Sequence, residues 1–251
     1  MLVDDLGEPV LLPKPPQRVV SLVPSLTDAI ETSRPGLISG ATDYCTHPPD
    51  LDVPRVGGSK YPNVDAVLDL RPDLVVANAE ENRPEDVARL RADGIPVWVT
   101  AAAATVPEGL GSVRRLLTQG LDLAEPAWLV VAEELWRDAT PTWATAIIPV
   151  WRRPWIVVGR DTFAGDVLHR LGVANAYAAH ADRYPRPSLA ELNDQSADLV
   201  VLPDEPYEFT ADDGPESFPG LPYALVSGRF LTWCGPSLVE AHASLTAGIR
   251  P

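Results

Sequence analysis

The chain holds two cysteines in 251 residues, too few for a dense disulfide scaffold. No apolar run is long enough to span a bilayer, so no membrane insertion is expected. Basic residues are scarce: 20 Lys and Arg stand against 35 Asp and Glu, a formal net charge of −15. That balance argues against nucleic acid and anionic membrane surfaces as partners. It also disfavours a strongly anionic ligand unless basic residues gather locally. No Ser sits in a nucleophile elbow, and there is no HExxH, P-loop or Gly-x-Gly-x-x-Gly. Without a catalytic set, an enzyme is not expected. The opening stretch MLVDDLGEPVLLPKPPQR has neither the basic start nor the apolar core of a signal peptide. As written, the sequence is expected in the cytoplasm; removal of a leader would make it extracytoplasmic. The 27 prolines are spread through loops rather than in one tract, so no disordered segment is expected.

What is present is an alternation of apolar, β-branched runs with helical patterns. RVVSLV, LVVA and VWVT read as strands in the first half, IVV and LVVL in the second. Helical stretches lie between them, so the expected class is α/β with parallel sheets and helices on both faces. Pro24 and Ser25 break the first strand, with Ser25 as a helix N-cap. Residues 64–78, VDAVLDLRPDLVVAN, and 189–203, LAELNDQSADLVVLP, share Asp, Asp, Leu, Val and Val at matching positions. The two halves are therefore expected to be built alike.

Between them lies LAEPAWLVVAEELWRDAT, residues 123–140. It reads as one helix, with Pro126 in its first turn and Trp128, Val131, Ala132, Leu135 and Trp136 on one face. Roughly 16–18 helical residues would span about 24–27 Å. The expected organisation is two Rossmann-like lobes, residues 1–122 and 141–251, joined by this backbone helix. Ligands of open parallel sheets sit beyond the carboxyl ends of the strands. An inter-lobe cleft lined by such ends is therefore expected.

The strand-end segments supply the candidate residues. Tyr44-Cys45-Thr46-His47 offers a phenol, a thiol and an imidazole; Tyr44 would contact a ligand, and His47 is the weaker candidate for an axial metal ligand. The alternative is that His47 caps the turn before Pro48 and Pro49. Ser59 and Lys60 lie in a Gly/Pro-rich loop. Asn78 and Glu80 follow a buried strand, where Asn82 reads as the cap of a helix starting at Pro84. Trp151, Arg152 and Arg153 form the one basic pair flanked by an aromatic; the arginines either meet a ligand anion or pair with Asp204 and Glu205. Tyr207 follows the analogous strand end of the second half. Cys45 and Cys234 fall on loops of opposite halves; two free thiols or a cross-cleft disulfide are the alternatives.

RVVSLVPSLTDAI, GATDYCTHPP, PRVGGSKYPNVDAVLDLRPDLVVANAEENRPEDV, PVWRRPWIVVGRDTFAGDVLHRLG, ADLVVLPDEPYEFT and LTWCGP, taken in order, resemble the helical-backbone substrate-binding proteins of ABC importers. The resemblance runs from about Arg18 to Leu245 and is closest to the cobalamin-binding branch. It implies a chelatase-like, periplasmic-binding-protein-like fold with a rigid connecting helix. The implied ligand is a large metal chelate: cobalamin or another corrinoid, with haem or a ferric siderophore as the alternatives, and no cofactor acting as a catalyst. By position, Tyr44, Trp151 and Trp233 match cleft aromatics of the family. Two positions depart from it: Ser59 and Asn78 stand where B12 binders carry aromatic groups. An ABC permease is the implied partner, docked through one carboxylate per lobe. Here the matching positions are Asp65, a shortened carboxylate, and Ala190, with Glu191 displaced by one.

The expected function is thus non-enzymatic binding of a metal chelate by a monomer. The readings from other classes are a cytoplasmic metal-handling or chelatase-like enzyme on the same fold, and a homologue that has lost transport docking.

Overall fold

The computed structural model describes residues 2–250. The chain divides into two compact units. The first is built from residues up to Ala102 together with Gly109–Val130 and Cys234–Pro236; the second takes Ala103–Glu108, Val131–Trp233 and the residues from Ser237 onward.

The first unit opens with a short antiparallel hairpin, β1 (Leu2–Val3) and β2 (Pro9–Val10). Four parallel strands follow: β3 (Val19–Ser21), β4 (Ile38–Ala41), β5 (Leu74–Asn78) and β6 (Val97–Thr100), in the order β4-β3-β5-β6. The central strands are buried on both faces, which is why they read as continuous β-branched runs rather than alternations. Helix α1 (Pro24–Ser33) starts on Pro24 itself. The sequence pattern predicts Pro24 as a breaker and Ser25 as the cap; instead proline's fixed φ suits the first helical turn, and Val23 occupies the cap position without a side-chain bond. Glu31, buried near the end of α1, accepts the backbone N–H groups of Gly36 and Ile38, each at 2.8 Å, and so fastens the turn into β4. Helices α2 (Val64–Asp69), α3 (Pro84–Ala92) and α4 (Val106–Arg115) cover the sheet edges and faces, α4 running into a π-helical turn at Leu116–Gly120. Gly120 allows a close approach there: a Cβ would lie 3.0 Å from the Trp98 ring.

The expected bridge is shorter than its sequence. Helix α5 runs only over Ala127–Leu135, nine residues, or about 13 Å, and residues 123–126 and 136–140 lie outside it. The expected apolar face is also displaced. Leu129, Ala132 and Trp136 are buried, whereas Val131 and Leu135 are exposed. The stretch AWLVVAEEL is apolar nearly all round, so periodicity alone could not select the stripe. Trp128 donates to Ser33 Oγ at 3.1 Å in the first unit, and Trp136 to the Leu238 carbonyl at 2.8 Å in the second.

The second unit repeats the plan with β7 (Ala144–Ile147), a hairpin of β8 (Pro149–Trp151) and β9 (Ile156–Val157), helix α6 (Phe163–Arg170), β10 (Val173–Asn175), α7 (Leu189–Asp194), β11 (Leu199–Pro203), β12 (Tyr223–Val226), α8 (Gly228–Thr232) and α9 (Leu238–Ile249). Its parallel sheet has the order β10-β7-β11-β12. Each unit therefore has its own four-stranded parallel sheet and its own apolar core. Among the described residues no helix is long and apolar enough to cross a membrane.

Candidate functional site

In the first unit the loops after β3, β4 and β5 are held by one buried amide. Asn82, 3 % exposed, donates from Nδ2 to the carbonyls of Leu22 (3.2 Å) and Ser59 (2.8 Å) and accepts the Asn78 N–H at 2.8 Å. It does not cap α3, as the sequence reading had it; Arg83 takes the cap position and makes no side-chain cap bond there. Asn78 is likewise spent on the scaffold. Its Nδ2 donates to Thr100 Oγ1 and the Ala101 carbonyl, and its Oδ1 accepts from the backbone of Glu80 and Glu81. Ser59 lies 3.4 Å, hydroxyl to hydroxyl, from Thr42. Exposed on this rim are Tyr44, at 65 %, Tyr61, at 69 %, Lys60 and Glu80.

His47 is half-buried, with Nδ1 3.1 Å from Thr46 Oγ1. Among the described residues no three His, Cys, Asp or Glu side chains converge as a metal cage. Cys45 and Cys234 are free thiols, and both belong to the first unit and to one apolar cluster. The placement of Cys234 on the opposite half, and with it the disulfide alternative, is therefore corrected. Cys45 Sγ sits 3.0 Å from Thr27 Oγ1 and 3.2 Å from Thr42 Oγ1. Burial pushes both thiols up, Cys234 to about 12.

In the second unit Trp151 is 41 % exposed. It meets Tyr207 edge-on at 5.7 Å, and Tyr207 leans on Phe209 at 4.7 Å, which stacks on Trp155 at 6.0 Å. Arg152 is engaged inside this group. Its guanidinium pairs with Asp213 and Glu216, lies 5.4 Å over the Trp155 ring, and is 12 % exposed. Asp213 also accepts the Tyr207 hydroxyl at 2.6 Å. The expected partners Asp204 and Glu205 are not the ones used. Asp204 instead accepts the Gly228 N–H at 2.6 Å, and the Glu205 carboxyl is pushed up by burial and by the neighbouring Asp204 charge. Gly228 is required at this contact, since a Cβ would fall 2.4 Å from Glu205 Cγ. Arg153 is exposed, at φ 66°. Trp233, expected to face a ligand, is 8 % exposed, with Arg229 5.6 Å over its ring.

A pocket of about 640 Å³ lies within the second unit. Tyr177, His180, Tyr184, Arg186, Glu191 and Gln195 are among the residues that line it. Apart from Glu191, none of these was singled out from the sequence, because residues 173–188 show no clear period; the density of Tyr and Pro in RYPRP was the available signal. Tyr177 is pushed up by burial and by Glu191. Glu191 itself closes a capping box on α7: its Oε2 accepts the Ser188 N–H at 2.7 Å, and Ser188 Oγ accepts the Glu191 N–H at 3.3 Å. Hydrogen bonds from Ser188, its backbone N–H first, hold the Glu191 carboxyl below the usual range. The other candidate docking carboxylate, exposed Asp65, is paired with Arg89. Thus the structure leaves aromatic rings open in each unit but engages Arg152, Asp65 and Glu191 internally.

The profile of the periplasmic binding protein family matches residues 37–218. A Vibrio cholerae protein named vitamin B12-binding protein is 32% identical over 189 residues, covering 72% of this chain and 68% of that one. A Halobacterium salinarum protein named cobalamin-binding protein is 28% identical over 207 residues, 76% of this chain and 55% of the other. Among solved structures, the periplasmic vitamin B12 binding protein of Vibrio cholerae superposes with a TM-score of 0.75 at 18% identity, covering 94% of this chain and 97% of that one. A periplasmic heme binding protein from Pseudomonas aeruginosa gives 0.78 at 21%, covering 92% of each. At these identities the two structures speak to fold alone.

Proposed function

The chain belongs to the periplasmic binding protein family, and from that premise we propose that its ligand is a corrinoid. At the coarser level it is a non-enzymatic receptor for a metal chelate of the cobalamin or haem kind. The observation that carries the corrinoid reading is the 32% identity over 189 residues with a vitamin B12-binding protein. The geometry supports it through the exposed rings of Tyr44 and Tyr61 in the first unit and of Trp151 and Tyr184 in the second. Rings of this kind bury area against a flat macrocycle at low cost in side-chain freedom. With Arg152 paired to Asp213 and Glu216, the contacts in this reading are aromatic and polar rather than charge-led. That suits a ligand whose rim is mostly neutral amide.

Delivery to a permease through Asp65 and Glu191 would require those carboxylates to leave Arg89 and Ser188. In our reading the protein works outside the cytoplasm, as its periplasmic relatives do; cell fractionation checks this.

The test of ligand class is titration of the purified chain with cobinamide, cyanocobalamin, haemin and a ferric siderophore. Absorption spectra and thermal shift are read together. A ligand that binds only the folded state raises its melting temperature by mass action. Saturable shifts with a corrinoid support the proposal. Shifts with haemin or the siderophore alone overturn the corrinoid assignment, and no shift with any of them overturns the receptor reading.

A further inference from the structure

We infer that Tyr61 is a ligand-stacking residue of the first unit, set in place by Arg83. The inference rests on the chelate-binding reading above and names a residue for it.

Tyr61 is 69 % exposed, the highest exposure of any aromatic side chain among the described residues. A single exposed ring is ordinary on a protein surface. Yet the backbone beneath it is tightly fixed. Gly57 and Pro62 bridge the neck of the loop in antiparallel fashion. Asn63 N–H donates to the Val56 carbonyl at 2.7 Å, and Asp43 N–H to the Gly57 carbonyl at 2.9 Å. The Ser59 carbonyl is held by buried Asn82. The loop is therefore ordered in advance, and little further chain entropy is lost when something lands on its ring.

The ring has one occupied face. The Arg83 guanidinium lies 4.9 Å from its centroid, and Arg83 is itself held by Asp86 through two bonds of 2.9 Å. A cation on one face orients the ring and polarises it, leaving the rest of the phenol to solvent. The same loop supports Tyr44: a Cβ at Gly58 would lie 3.4 Å from Tyr44 Cε2. Two exposed phenols thus share one rigid loop at the carboxyl edge of the sheet. A flat, partly apolar ligand is the chemistry that two such rings recognise.

The test uses the full chain and measures equilibrium affinity for cobinamide and for haemin by absorbance titration. Variants are Tyr61→Ala, Tyr61→Leu, Tyr61→Phe and Arg83→Gln, with Tyr223→Ala, on the outer strand β12, as an unrelated exposed tyrosine. Expected is a loss on the order of tenfold for Tyr61→Ala on the probe that wild type binds. Tyr61→Phe and Tyr223→Ala keep affinity within about twofold, and Tyr61→Leu falls with Ala. Arg83→Gln lowers the melting temperature, because buried Asp86 loses its partner, and weakens binding less than Tyr61→Ala does; wild-type affinity in Arg83→Gln overturns its positioning role. Wild-type affinity in Tyr61→Ala, or in Tyr61→Leu, overturns the stacking role while leaving the receptor reading intact. A wild-type chain that binds neither probe overturns the receptor reading itself, and this inference falls with it.

Discussion

Asn82 Nδ2 and the Ser59 carbonyl, 2.8 Å apart, join a strand end to a loop 23 residues earlier in the chain. Because the amide is buried and also serves Leu22 and Asn78, its removal strands a donor and two acceptors. Asn82→Ala should cost about 2–4 kcal/mol in urea unfolding. Asn82→Asp should also destabilise, since a carboxylate cannot donate to either carbonyl. A loss below about 0.5 kcal/mol in Asn82→Ala would show that water replaces the amide freely.

Arg152 should prove structural. Replacing it with Met leaves Asp213 and Glu216 without their cation and the Tyr207 hydroxyl on a disturbed acceptor. The expected cost is about 1–3 kcal/mol in chemical denaturation, with affinity for a neutral corrinoid changed by less than the effect of Trp151→Ala. A selective loss of binding at unchanged stability would assign Arg152 to the ligand instead.

Glu205 gives a pH dependence of definite sign. Burial, then the Asp204 charge, raises its carboxyl in the folded protein, so the folded state holds this proton more tightly than the unfolded one. Its contribution is most favourable below the unfolded value of about 4.3 and is lost as pH rises through the folded value. Glu205→Gln should therefore melt higher than wild type at pH 7.5, and the gap should close near pH 4. Melting curves across that range are the check; a gap that widens on acidification would reverse the assignment.

The thiols should be inert in the folded protein. Burial raises both, Cys234 to about 12, so little thiolate exists at pH 8. Iodoacetamide should label the native chain far more slowly than the denatured chain, where both thiols react. Fast labelling of either without denaturant would mean that the surrounding packing opens.

The class of fold was legible because β-branched runs at 74–78 and 199–203 are buried on both faces, and helical stretches separate them. The shared order of short motifs carried the family. Side-chain roles were less legible where the partner is far along the chain. Arg152 meets residues 61 and 64 positions away rather than the nearby-looking pair at 204 and 205. Asn82 had a good local reason to be a cap, and tertiary carbonyls outcompeted it. Tyr44 and Trp151 were singled out and are open rings, whereas Trp233 sits under Arg229. Tyr61, in the same loop as Ser59 and Lys60, carries no local signal of its own, because exposure, unlike composition, is decided by the rest of the unit.

The β1–β2 hairpin carries one more implication. Asp5 N–H donates to the Val99 carbonyl at 3.1 Å, while buried Asp4 accepts from Arg91 and from the Val99 N–H. The outer flank of β6 is thereby occupied by the chain's own first residues. An unpaired flank of this kind is a template for another molecule's strand. Trimming through Asp5 would convert a self-contained sheet into one that seeks company, and self-association on trimming would be its signature.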